Sequence, residues 1–115
     1  MSTPDPAAIR AALAPVALHL QGLAMGGGTE TYGAMARQLG LRMAVLTGAL
    51  ESLMAEDAAA GRPYRAALCQ ARLEGGLPAA GFFLAAEALG RPVERSPEAV
   101  AAERAAVRAR ALSDS

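Results

Sequence analysis

The sequence contains no tryptophan, lysine or asparagine, and only 3% of its residues are aromatic. Its apolar fraction is 53%, so a core has to be built from Leu, Met, Val and many Ala, which favours closely packed helices over a large sheet. The abundance of Ala, Arg and Gly without Lys or Asn is typical of the coding bias of a GC-rich, bacterial genome. The arginines by themselves are therefore not evidence of selection for phosphate binding.

Cysteine and histidine each occur once, as Cys69 and His19. One cysteine excludes an internal disulfide framework, and the two residues lack the spacing of a zinc site, so we expect a reduced, cytoplasmic setting with no metal and no cofactor. The chain begins without a basic leader region, and no uninterrupted apolar stretch reaches membrane-spanning length. We therefore expect a soluble protein without a membrane partner.

The chain has no excess of positive or negative charge, since 11 basic residues balance 11 acidic residues. Proteins whose main partner is a polyanion more often carry a net positive charge, so non-specific affinity for nucleic acid should be modest. At 115 residues, the chain has the size of a single domain, predicted to span 1–115.

The N-terminal pattern predicts a long helix. Asp5 and Pro6 form a cap and a first helical position, and apolar residues then recur at spacings of four and three. Pro15 predicts a kink or a break, and the triplet Gly26–Gly28 predicts the helix end. A phosphate-binding loop at this triplet lacks its lysine and its preceding strand, so we interpret it as a flexible linker.

Residues 29–60 have the outline of a helix-turn-helix. Thr31 is placed to cap the first helix and Gly40 to end it, with Leu41–Met43 as the turn. The second helix would then present Arg42 and Thr47 at its N-terminal end, which is the part suited to a DNA groove. Carboxylates further along would repel phosphates; they are Glu51, Glu56 and Asp57.

Residues 62–78 have the pattern of a β-hairpin wing. Tyr64–Arg72 favours a strand, Glu74–Gly76 a turn and Leu77–Pro78 a short return. The segment forms the most basic local patch of the chain, with Arg62, Arg65 and Arg72, and it is the part expected nearest to phosphate. The alternative is a solvated hairpin edge with ordinary surface arginines.

Two further helices are predicted within 79–112. The first contains Phe82 and Phe83, which we interpret as core anchors rather than base-stacking residues. The second begins at Ser96 and has a thin apolar stripe, so three arrangements stay open: packing along the domain, exchange with a second subunit, or fraying in solution. The stripe consists of Val100, Val107 and Ala111.

The segment from Thr31 to about Gly81 resembles the winged-helix domain of the alkylguanine-DNA alkyltransferases and alkyltransferase-like proteins. Their helix-turn-helix opens with a similar Thr-Tyr-Gly followed by Ala and Leu-Gly, as in 31–40 here. In that family a Pro-Cys-His-Arg or Pro-Trp-His-Arg element follows the recognition helix, whereas Pro63–Arg65 contains neither the reactive cysteine nor the histidine. The resemblance implies a winged helix-turn-helix fold without alkyl transfer. Cys69, five residues beyond the position of that nucleophile, is interpreted as a buried thiol.

We therefore expect a mainly α fold with a small β-hairpin wing, a winged helix-turn-helix with additional C-terminal helices. No catalytic constellation is recognisable, so no enzyme is expected. The predicted function is binding of double-stranded DNA, as in a transcriptional regulator, by a homodimer formed through the C-terminal helix. The alternative is a protein-interaction module on the same scaffold. The predicted DNA-binding residues are Thr31, Tyr32, Arg42, Thr47, Arg62, Arg65 and Arg72.

Overall fold

The computed structural model describes residues 4–114, so positions 1–3 and 115 of the predicted domain lie outside the described residues. The described part is mainly helical, as the composition predicts. Its helices are α1 Pro6–Gly26, α2 Tyr32–Leu39, α3 Met43–Ala59, α4 Ala80–Ala88 and α5 Pro97–Asp114. The strands are β1 Glu30–Thr31 and β2 Cys69–Gln70, and a 3₁₀ turn, Arg65–Leu68, precedes β2.

Local capping signals define the helix ends. The Asp5 carboxylate accepts a hydrogen bond from the Ala7 amide at 3.0 Å, and the Ser96 hydroxyl accepts one from the Ala99 amide at 3.1 Å. Gly27 ends α1 with φ at 75°, in the left-handed conformation that favours glycine. These three predictions are confirmed because each depends only on residues a few positions apart.

The core lies where α1 packs against α3 and α5. The buried residues of α1 recur every fourth position and form one face of the helix; they are Ala12, Val16, Leu20 and Ala24. Gly48 of α3 permits a close approach to α1, because a Cβ atom there would lie 2.6 Å from Cδ1 of Ile9. The predicted break at Pro15 is wrong, since α1 continues through this residue to Gly26.

By length and composition alone, α1 is apolar enough to cross a membrane. His19 and Gln21 interrupt its apolar run, so it does not contradict the expectation that no uninterrupted apolar stretch reaches membrane-spanning length. The sequence between Arg10 and Glu30 contains no Asp, Glu, Lys or Arg. Helices in the core of globular proteins can have the same length and composition. One face of α1 is buried against α3 and α5.

The predicted β-hairpin wing at 62–78 is wrong. Of the predicted strand Tyr64–Arg72, only Cys69–Gln70 forms a strand, and it pairs in parallel with β1 through Glu30–Cys69 and Thr31–Gln70. A single backbone hydrogen bond from the Ala71 amide to the Leu77 carbonyl oxygen, at 2.9 Å, closes the loop that follows.

Burial explains why this segment forms no hairpin. A two-stranded ribbon has one solvated face, whereas residues 66–69 are buried at every position. The carbonyl oxygens of Ala67 and Cys69 accept hydrogen bonds from the Arg104 guanidinium on α5, at 2.6 and 3.2 Å. A side chain from a distant helix thus occupies acceptors that a neighbouring strand would otherwise use.

The C-terminal helices complete the core. Phe82 of α4 is buried with its ring edge-on to Tyr64 at 5.9 Å and to Phe83 at 5.2 Å between centroids, so its predicted role as a core anchor is confirmed. The predicted stripe of α5 is also buried, at Val100, Val107 and Ala111. Of the three arrangements left open for this helix, the structure shows packing along the domain, against α1 and the 3₁₀ turn.

Candidate functional site

The helices α2 and α3 are held at a fixed angle by a short connection. The Thr31 hydroxyl caps α2 by accepting a hydrogen bond from the Ala34 amide at 3.2 Å, and Gly40 ends α2 with φ at 65°. The Leu41 amide then donates to the Ala36 carbonyl oxygen at 2.9 Å, and α3 begins at Met43. The predicted helix-turn-helix outline thus has both of its helices, its cap and its turn.

An apolar groove of about 460 Å³ runs along this unit. The start of α2, one face of α3, the segment 66–72 and the start of α4 form its walls. Its apolar lining includes Met43, Leu50, Met54, Ala66 and Phe82. This volume falls in the range of small-molecule and side-chain pockets in proteins.

Most of the predicted DNA-binding residues meet at the groove. Thr31, Tyr32, Thr47 and Arg72 all line it. Arg42 is exposed and directly precedes Met43, another lining residue. The tertiary structure therefore brings together residues that are separated by up to 41 positions in the sequence.

Arg62 and Arg65 lie elsewhere, around the fully buried carboxylate of Asp57. Arg62 Nε lies 3.3 Å and Arg65 Nη2 2.9 Å from Oδ1 of Asp57, and the Arg65 amide donates to Oδ2 at 3.0 Å. Together with Leu20 and Val107, these groups border a separate cavity of about 150 Å³. The two arginines neutralise an internal carboxylate instead of lining the groove.

Arg37 is a candidate residue that sequence reasoning missed. It is exposed on α2, and its Nη1 atom lies 3.5 Å from the position that a Cβ atom would have on Gly33, which lines the groove. Residues 33 and 37 are one turn apart on a helix, so the spacing was the available signal.

Two groups near the groove are held in their neutral forms. The Tyr32 hydroxyl accepts a hydrogen bond from the Ala79 amide at 3.1 Å, and burial raises the pKa of Tyr32 to about 12. Burial likewise raises the pKa of the Cys69 thiol to about 12, with the negative charge of Glu30 adding to the effect. Cys69 is fully buried, as predicted, and its thiol lacks the low pKa of a reactive nucleophile.

His19 forms a link between α1 and β1, with its Nε2 atom 3.0 Å from Oε1 of Glu30. The structure places it half-buried. Within residues 4–114, no group of three or more His, Cys, Asp and Glu side chains is arranged to hold a metal ion.

In comparisons with known proteins, no family model, no curated protein and no solved structure matches this chain.

Proposed function

We propose that this protein binds duplex DNA through the face that carries the groove, as a non-catalytic helix-turn-helix regulator. The observation that carries the proposal is the distribution of free positive charge. Among the described residues, the exposed arginines that lack a carboxylate within 4 Å are Arg10, Arg37, Arg42 and Arg72. Three of these four belong to the helix-turn-helix unit or to the segment beside it.

The N-terminal end of α3 suits an anionic partner. Its first turn contains no acidic residue, and no side chain caps it, so the amide groups of Met43 and Ala44 are available to phosphate oxygens. Arg42 lies at this end and supplies donors for base edges or phosphates. The Thr47 hydroxyl donates to the Met43 carbonyl oxygen at 3.1 Å and offers an acceptor. Glu51 lies one turn further along, so contact is favoured at the first turn of α3.

Arg37 and Arg72 would contact backbone phosphates on either side of α3. Such contacts fix the position of a protein on the duplex and make its affinity depend on salt. Arg62 and Arg65 contribute little in this arrangement because Asp57 already binds them.

The decisive experiment is a fluorescence-anisotropy titration of mixed-sequence duplex DNA at several salt concentrations. The variant Arg42→Glu/Arg72→Glu is compared with the control Arg10→Glu/Arg110→Glu, which makes the same charge change outside the groove. Three phosphate contacts predict a slope of log K against log salt of about −2.7, and losing two of them reduces its magnitude by about 2. The control should bind like the wild type.

An unchanged affinity in the Arg42→Glu/Arg72→Glu variant would show that this face is not the DNA-binding surface. Absence of binding by the wild type, even at low salt, would contradict DNA binding altogether.

The apolar lining of the groove supports a second candidate, a protein-interaction module. A groove of about 460 Å³ with Met43, Met54 and Phe82 on its walls suits an apolar side chain of a partner protein. A complex captured from lysate that survives high salt would favour this function, since apolar contacts are not screened by ions. A complex lost at moderate salt would favour the DNA-binding proposal.

A further inference from the structure

Arg104 and Arg108 of α5 differ from the other arginines in their burial and in their lack of an acidic partner among the described residues. Within residues 4–114, every other arginine is either within 4 Å of a carboxylate or exposed to solvent. These two are half-buried, one helical turn apart, and have no carboxylate partner. Partly desolvated cations without a counter-charge are unfavourable unless something else compensates them.

Arg104 is compensated in part by backbone carbonyl groups. Its Nε atom donates to Ala67, and its Nη2 atom donates to Cys69 and, at 2.8 Å, to Gly76. These bonds fix its guanidinium between β2 and the loop that follows it.

The positive charge of Arg108 is stabilised by fewer hydrogen bonds than that of Arg104. Its Nη2 atom makes one long hydrogen bond, 3.4 Å, to the Gly28 carbonyl oxygen, and its Nε atom is buried without any partner. Burial lowers the pKa of Arg104, and the positive charge of Arg108 lowers it further, which indicates that the two cations repel each other across a short distance.

Both guanidinium groups line a cavity of about 280 Å³ between the first half of α5 and the loop after β2. Thr29, Gln70, Gly75 and Gly76 also line the cavity, and no Asp or Glu is among the described residues that line it. The Thr29 hydroxyl donates to Oε1 of Gln70 at 3.5 Å. A water molecule takes about 30 Å³ in the liquid, so the space equals roughly nine waters and exceeds what a phosphate ion alone requires.

We propose that this cavity binds the terminal phosphate group of a small phosphorylated molecule. The Arg108 guanidinium, whose Nε atom has no partner among the described residues, presents a planar fork that matches phosphate oxygens in a bidentate manner. Arg104, whose Nε and Nη2 atoms donate to backbone carbonyl oxygens, adds the second positive charge, so the two groups balance the two charges of a phosphate monoester. The remaining volume accommodates the organic part of the molecule.

This site is separate from the DNA-binding face, because neither Arg104 nor Arg108 lines the apolar groove. Its occupant is also chemically different, since backbone phosphates of DNA are diesters with a single charge. The proposal therefore stands or fails independently of DNA binding.

The test is isothermal titration calorimetry with three probes at matched ionic strength: inorganic phosphate, glycerol 3-phosphate and dimethyl phosphate. We expect the first two to bind the wild-type chain and the diester to bind at least tenfold more weakly. Arg108→Ala should weaken binding of inorganic phosphate by tenfold or more. The control Arg110→Ala, on the same helix but exposed and paired with Asp114, should leave it unchanged.

Thermal unfolding supplies a second readout that does not depend on weak calorimetric heats. Inorganic phosphate should raise the Tm of the wild type and of Arg110→Ala but not of Arg108→Ala. Without phosphate, Arg108→Ala should be at least as stable as the wild type, because it removes an uncompensated charge. The proposal is overturned if phosphate fails to bind the wild type at millimolar concentration, if dimethyl phosphate binds equally well, or if both variants respond alike.

Discussion

At the scale of single residues, Asp57 shows how position alone decides the role of a charge. The sequence suggests a solvated carboxylate near the end of the second helix, where it would repel phosphate. In the structure, its carboxylate is fully buried and binds Arg62 and Arg65. Two arginines that were predicted to bind DNA therefore balance the charge of the buried Asp57 carboxylate.

Asp57→Asn should destabilise the fold by about 3 kcal/mol, because removing one partner of a buried ion pair leaves the other charges uncompensated. The measurement is urea unfolding followed by circular dichroism. Glu56→Gln is the matched control, since Glu56 is exposed and 4.0 Å from Arg65, and it should change the unfolding free energy by less than about 0.5 kcal/mol. Equal effects of the two substitutions would contradict the buried role of Asp57.

At the scale of secondary-structure elements, the helices follow their local signals and the predicted hairpin does not. Caps at Asp5, Thr31 and Ser96 act within three residues, so the sequence is sufficient to place them. The conformation of 64–72 depends on β1 and on Arg104, which are distant along the chain. The mostly apolar residues between Arg65 and Arg72 are typical of a buried strand, but they do not determine which partner that strand has.

Thr31→Ala should reduce stability by about 1 kcal/mol, because the Ala34 amide at the start of α2 loses its acceptor. Thr31→Ser retains the hydroxyl and should lose much less. The comparison is made by thermal unfolding of both variants. If serine is as destabilising as alanine, the methyl group rather than the cap is what Thr31 contributes.

At the scale of the whole molecule, the balance of 11 basic and 11 acidic residues conceals an uneven distribution of charge. Among residues 4–114, five arginines lie within 4 Å of carboxylates, four are exposed without such a partner, and two are half-buried without a counter-charge. Net charge therefore says little about this surface, because local pairing decides which positive charges are available to a partner.

Alkaline pH should destabilise the whole fold. Below pH 9 the Cys69 thiol is protonated in both states; between pH 9 and about 12 the unfolded chain loses this proton while the folded chain retains it. The folded state then binds more protons, so the unfolding free energy falls with rising pH, by about 1 kcal/mol per pH unit for this group. Tyr32, with its pKa raised from 10.0 to about 12, adds a similar decline above pH 10.

The measurement is Tm from pH 7 to pH 11 for the wild type and Cys69→Ala. The variant should show a shallower decline between pH 9 and 10, where Cys69 contributes more than the tyrosines, whose ordinary pKa is 10.0. Identical pH profiles would mean that the thiol titrates at its ordinary pKa in the folded protein.

The sequence by itself determined the helices, their caps, the position of the turn at Gly40 and the burial of Cys69 and Phe82. These features depend on hydrogen bonds between near neighbours and on apolar periodicity, both of which are local properties of the chain. It also predicted a DNA-binding role for Thr31, Tyr32, Thr47 and Arg72, four residues that line the same groove.

Only the tertiary structure decided the parallel pairing of Glu30–Thr31 with Cys69–Gln70, the burial of Asp57 and the position of Arg104. It also directed Arg62 and Arg65 to the buried carboxylate of Asp57 instead of the groove. Each of these outcomes depends on which distant segments meet, and a side chain's position in the sequence does not specify which charge it faces after folding.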